Sequence, residues 1–144
     1  MSAATYDLDT TLFWRGKRLA IYHVSVNGRD EFRSFVEGLL SSSAMADINF
    51  AQHFVEIIKH IGVHGTYARP EYFQKIRAHA DLWEIRRRHG RTNHRFYGFM
   101  VGNRAFYVVR HADKRGQDPD PQDLQHVERV ARAWHEQNRT GQDR

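Results

Sequence analysis

"LWEIRRRHGRTNHRFYGFMVGNRAFYVVRH", residues 82–111, decides the fold. Aromatic and β-branched residues alternate through it, so it reads as two or three β-strands. Gly102-Asn103 supplies a two-residue hairpin turn. That register pairs Val101 with Arg104, Phe99 with Phe106, Tyr97 with Val108 and Arg95 with Arg110. A three-residue loop would instead set Arg95 opposite His111. Either way two potential cations face each other, an arrangement that costs up to roughly 1 kcal/mol unless an anion sits between them. In the preceding strand Glu84, Arg86 and Arg88 share one face, and Trp83, Ile85 and Arg87 share the other. Tyr97, Phe99, Phe106 and Tyr107 could stack on bases, but both hairpin faces are apolar, so most of them belong to the core.

The charge is concentrated. Between Lys75 and Arg115 lie eleven of the 22 Lys/Arg but only three of the 17 acids, Asp81, Glu84 and Asp113. This stretch therefore carries about +8 and the remainder about −3, against a net charge of +5. Such an imbalance points to a polyanionic partner. Phosphate suits it best, because the guanidinium fork matches phosphate oxygens. Lys75, Arg77, Arg86, Arg88, Arg91, Arg95, Arg110, Lys114 and Arg115 are the candidate nucleic-acid contacts.

Working outward, "RLAIYHVSV" (18–26) reads as a strand that stops at Asn27-Gly28. "RDEFRSFVEGLL" (29–40) places Phe32, Phe35, Val36, Leu39 and Leu40 at helical spacing. A second helix follows, with Asp47 as N-cap, an apolar stripe of Phe50, Phe54, Ile57, Ile58 and Ile61, and Gly62 as its stop. Asp120 and Pro121 open a closing helix, whose inner face is Leu124, Val127, Val130, Ala131 and Trp134. Residues 1–17 show no clear period and are expected to be a loose arm, and 137–144 a fraying tail, around one domain over 18–136.

The 144 residues suffice for a core, and 12% are aromatic. Cysteine is absent, which removes disulfide and thiolate chemistry and suits a reducing cytoplasm. No apolar run reaches bilayer-spanning length, and no signal peptide is recognisable, so a cytoplasmic protein without membrane contact is expected. His60 and His64 stand at zinc-ligand spacing, but Gly62 interrupts them and no third ligand is evident, so neither a metal nor another cofactor is expected. Trp14, Trp83 and Trp134 read as packing residues.

The order of these pieces resembles the RelE/HigB toxin superfamily, most closely its phage-derived Gp49-like branch. The resemblance rests on Leu82-Trp83-Glu84-Ile85-Arg86, His94-Arg95-Phe96-Tyr97, Gly102, Val108-Val109, Lys114-Arg115 and a helix carrying Asp123, Ala131 and Arg132. It covers roughly residues 18–136, and order and spacing carry it more than any single motif. It implies an α+β fold: a curved antiparallel sheet backed by two N-terminal helices, with a C-terminal helix. It also implies the toxin of a type II toxin–antitoxin system, a ribosome-dependent mRNA endonuclease whose partners are the ribosome with mRNA and an antitoxin, of the helix-turn-helix kind.

The matching site residues are Arg86, Arg95, Lys114 and Arg115. Cleavage of this kind uses the ribose 2′-hydroxyl and needs positioning and charge stabilisation rather than a metal. His111, then His94, are the expected acid–base residues, beside Arg110 and Arg95. The chain departs from the family where a tyrosine is replaced by His94, in the longer "DKRGQDPDP" loop, and near the C-terminus, where only Trp134 and His135 stand in place of a catalytic Tyr or His. Two alternatives remain: an inactive nucleic-acid-binding member of the same fold, and a gyrase-targeting toxin.

Overall fold

The computed structural model describes residues 5–114 and 118–142. Among these, six strands form one sheet: β1 (Leu8–Arg15), β2 (Ala20–Val26), β3 (Phe73–Lys75), β4 (Leu82–His89), β5 (Thr92–Val101) and β6 (Ala105–Lys114). Three helices accompany it: α1 (Glu31–Leu40), α2 (Met45–His64) and α3 (Pro121–Gln142). The protein is a mixed α+β fold.

The strand order is β1-β2-β6-β5-β4-β3. Neighbours run antiparallel except β2 and β6, which are parallel. The sheet is thus mixed rather than antiparallel. The chain leaves β2, builds α1, α2 and β3–β5, and returns beside β2 in the same direction, as only a long crossover permits.

Alternation along the strands gives the sheet two apolar faces. Ile21, Ile85, Phe96, Phe106 and Val108 join Phe32 of α1 and Phe50, Phe54, Ile57, Ile58 and Ile61 of α2 in one core. Val24, Leu82, Tyr97, Phe99, Tyr107 and Val109 join Leu124, Val127 and Val130 of α3 in the other. The hairpin aromatics are core residues: Tyr97, Phe99 and Phe106 are fully buried and Tyr107 nearly so.

Helix starts follow local chemistry. Asp30 caps α1 by accepting the Arg33 N–H at 2.9 Å. Asp120 accepts the Gln122 N–H at 2.9 Å ahead of Pro121, the first residue of α3. For α2 the N-cap is Ala44, and Asp47 lies inside the first turn, where it accepts from Ser42 Oγ at 2.6 Å.

Three expectations are corrected. Residues 8–15 are not an arm but strand β1, paired with β2 from Leu8–Val26 to Arg15–Ala20. Helix α3 continues to Gln142, so residues 137–142 are helical, with 143–144 outside the described residues. Helix α2 does not stop at Gly62 but runs to His64, with Gly65 at φ +60 as its C-cap. Gly62 is small for another reason: the β1–β2 turn lies on it. Its carbonyl accepts the N–H groups of Arg18 and Leu19, both at 3.0 Å, and a Cβ at Gly16 would sit 2.2 Å from its carbonyl carbon. Trp14 belongs to this contact but stays 37% exposed, so it is less a packing residue than Trp83 or Trp134.

Candidate functional site

The hairpin turn spans residues 102–104, so Val101 pairs with Ala105, not Arg104. Near the turn Phe99 faces Tyr107 and Gly98 faces Val108; then the register slips by one, and Tyr97 faces Arg110. The slip is a β-bulge that leaves Val109 unpaired in β6. Gly98 permits it, since a Cβ there would lie 2.1 Å from the Tyr107 carbonyl oxygen. Arg95 therefore faces Ala112 on β6, neither Arg110 nor His111.

Its cationic partner is on the other side. Arg95 pairs directly with Arg86 of β4. Three rungs now share the α3 face of the sheet end: Gln74–Glu84–Tyr97–Arg110, Arg86–Arg95–Ala112, and Arg88–Asn93–Lys114. The side chain of Lys114 and all of Arg115 lie outside the described residues.

A buried carboxylate organises the arginines. Glu84 is 2% exposed and Arg95 3%. Glu84 Oε1 accepts from Gln74 Nε2 at 3.2 Å and lies 3.5 Å from Arg86 Nε, and Oε2 lies 3.8 Å from Arg95 Nη1. Burial pushes the Glu84 carboxyl above its ordinary range, opposed by Arg95, Gln74 and Arg86. Burial likewise raises the Tyr97 phenol, with Glu84 adding to the rise. Arg86 keeps a side chain 37% exposed and borders a cavity of about 230 Å³ together with Glu71, Tyr72, Arg87 and Arg88.

The cations are less unbalanced in space than in sequence. Arg110 lies 3.3 Å from Glu31 of α1 and 3.6 Å from Asp123 of α3, two acids 79 and 13 positions away. Nothing in the sequence ties Glu31 to this site. Asp123 carried a family match and an N-terminal helix position, a usable signal. His126 of α3 is a further residue that sequence reasoning missed; burial lowers its pKa first, and the charge of Arg110 lowers it further.

His94 and His111 do not join this face. They alternate to the opposite side, with Phe96, where both rings lie 4.8 Å from Phe35 of α1. His94 Nδ1 and His111 Nε2 are 2.9 Å apart, so one donates and the other accepts. Burial, then His94, pulls His111 down to about 4, and burial lowers His94. Burial thus favours the neutral form, and such a ring is a weak base. Beside them His89 Nε2 meets Asp47 at 2.7 Å.

The remaining candidates scatter. Arg88 is exposed and its Nε donates to the Gly90 carbonyl at 2.9 Å. Arg91 is exposed in the β4–β5 turn and Arg77 in the β3–β4 loop. Lys75 is exposed opposite Trp83, on the α2 face. The rings of His60 and His64 meet tilted, 4.4 Å apart at their centroids, near the end of α2, and among the described residues no group of three His, Cys, Asp or Glu is placed to hold a metal.

Fold and site together define a small α+β protein that gathers arginines around a buried glutamate at one end of a mixed sheet. The chain belongs to the family of phage-derived Gp49-like proteins, the RelE/HigB-like toxin branch, whose model matches residues 44–132, more than half of the chain. The match takes in the whole arginine ladder up to β6 and most of α3, while β1, β2 and α1 lie outside it. The family is one of toxin–antitoxin toxins, associated with nuclease activity and implying an antitoxin partner. No curated protein matches the chain. Among the described residues no helix is long and apolar enough to cross a membrane.

Proposed function

We propose that this protein is a cytoplasmic toxin that cleaves messenger RNA on the ribosome. The observation that carries the reading is the Arg86–Arg95 pair, two guanidiniums on one rung held by one buried carboxylate. Arg86, with a side chain 37% exposed, is the member of the rung that a phosphate can reach, while Arg95 stays buried against Glu84. Arg86 reaches the backbone phosphate, Arg95 fixes the geometry through Glu84, and Arg88 with Lys114 and Arg115 hold the flanking nucleotides. The ribose 2′-hydroxyl gives up its proton as its oxygen attacks the adjacent phosphorus and closes a 2′,3′-cyclic phosphate; the bond to the 5′-oxygen of the next nucleotide breaks, that oxygen takes up a proton, and the Arg86 guanidinium stabilises the charge on the non-bridging oxygens.

Acid–base duty is reassigned. His94 and His111 lie on the other face, so they serve the reaction only by holding the sheet end. His126 of α3 is held neutral by burial first and by the charge of Arg110 second, and is the imidazole we assign to proton transfer in their place. A second reading, RNA binding without cleavage, is favoured by that same displacement of His94 and His111. A gyrase-directed toxin has no use for a phosphate rung.

Primer extension on cellular transcripts after brief induction separates these readings. Discrete cuts inside translated codons are expected, lost when a reporter's start codon is removed and lost in Arg86→Ala. Growth arrest with intact transcripts contradicts the nuclease reading.

A further inference from the structure

We propose that the outer edge of β1 pairs with the same edge of a second copy, joining two sheets antiparallel about a two-fold axis. Strand β1 is terminal in the sheet, and among the described residues nothing pairs with its outer side. It is eight residues long, contains no proline, and runs "LDTTLFWR". The opposite edge, β3, has only three residues. A long open strand rich in Thr, Leu, Phe and Trp is a template for pairing, and soluble proteins normally shorten, charge or cover such an edge.

Along β1 the charges separate by sign toward the two ends, and two large apolar side chains in its second half, one on each sheet face, stay partly exposed. Leu12 is 42% exposed and Trp14 37%, with Lys59 Nζ over the Trp14 ring at 5.0 Å. Exposed Asp7 and Asp9 lie at the N-terminal end, and exposed Arg15, Lys17 and Arg18 at the other. Parallel self-pairing sets like charges together. Antiparallel self-pairing sets the acidic end of each copy against the basic end of the other, twice, and covers Leu12 and Trp14.

The charge pattern favours antiparallel pairing in more than one register, and β1 carries its own bulge between Leu12 and Trp14. The contact is one strand wide, smaller than a permanent interface, so the dimer is expected to dissociate on dilution through the micromolar range. The partner surface is independent of the arginine rung and lies outside the family-matched residues.

The test is light scattering after size exclusion over a dilution series of the full chain. Wild type is expected to shift from dimer to monomer. Asp9→Arg and Arg15→Asp, both exposed positions, should each weaken the dimer at least tenfold, and the double variant should restore it. A monomer at every concentration overturns the proposal, including one whose β1 amides become protected from exchange only with antitoxin bound. So does a dimer indifferent to the single changes, or a double variant no better than either.

Discussion

At Glu84 the chain spends a buried carboxylate on two arginines, which is the arrangement most exposed to test by substitution. Removing one member of a buried ion pair costs about 3–5 kcal/mol, because the remaining charge stays desolvated. Glu84→Ala is therefore expected to lower unfolding stability by about that much in a urea titration, and an unchanged midpoint would remove Glu84 from its organising role. Arg86 is half-exposed and separates function from folding. Arg86→Ala should keep the wild-type midpoint yet cut cleavage roughly 100-fold, the usual effect of losing one donor to a developing oxyanion.

His111 makes a different prediction. Its folded value, about 4, lies below the ordinary 6.5, so as pH falls the unfolded chain binds the proton first. The stability it contributes is complete above about pH 6.5 and is lost as pH falls towards 4. Glu84, shifted upward, acts in the opposite sense. The quantity to read is therefore the difference between His111→Gln and wild type: the variant should lose less stability between those pH values. Equal slopes would contradict the buried, neutral assignment.

Among the elements, those with strong local signals were legible. The β5–β6 hairpin declared itself by alternation, α1 by Asp30 and the spacing of its phenylalanines, and α3 by Asp120-Pro121. What failed to show was set by contacts distant in sequence. Strand β1 escaped because its residues are mostly exposed and so carry no clean period. The hairpin register escaped because a three-residue turn and a bulge both shift the pairing, and the bulge is permitted only by the absence of a Cβ at Gly98 beside the Tyr107 carbonyl. Gly62 read as a helix stop because glycine has two uses, and close approach won. Gly16→Ala tests that contact: a Cβ 2.2 Å from the Gly62 carbonyl carbon should lift the β1–β2 turn from α2 and lower stability by about 1–3 kcal/mol. A variant as stable as wild type would show that the turn does not rest on the helix.

Across the whole molecule the fold brings acids to arginines that sequence left bare. Glu31 and Asp123 arrive at Arg110 from two helices, so the arginine face is a partly neutralised site rather than a uniform basic patch. The cationic strands were readable from residues 82–115, the family from the order of motifs between Leu82 and Arg132, and the Arg86–Glu84 neighbourhood from alternation in one strand. The Arg86–Arg95 rung was not, because β4 gave no register against β5, nor was the separation of the histidines from the arginines. Binding to a ribosome–mRNA complex should weaken with salt, and Arg88→Ala should reduce the log–log slope by roughly 0.7–0.9, as one lost phosphate contact requires.

The central claim is that the arginine face, and not the histidine face, carries the reaction. Single-turnover cleavage of ribosome-bound mRNA by purified wild type, Arg86→Ala and His111→Gln tests it most directly. A loss of roughly 100-fold is expected for Arg86→Ala, and a rate within a few-fold of wild type for His111→Gln. Cleavage abolished in His111→Gln but preserved in Arg86→Ala, with both proteins folded, would contradict it.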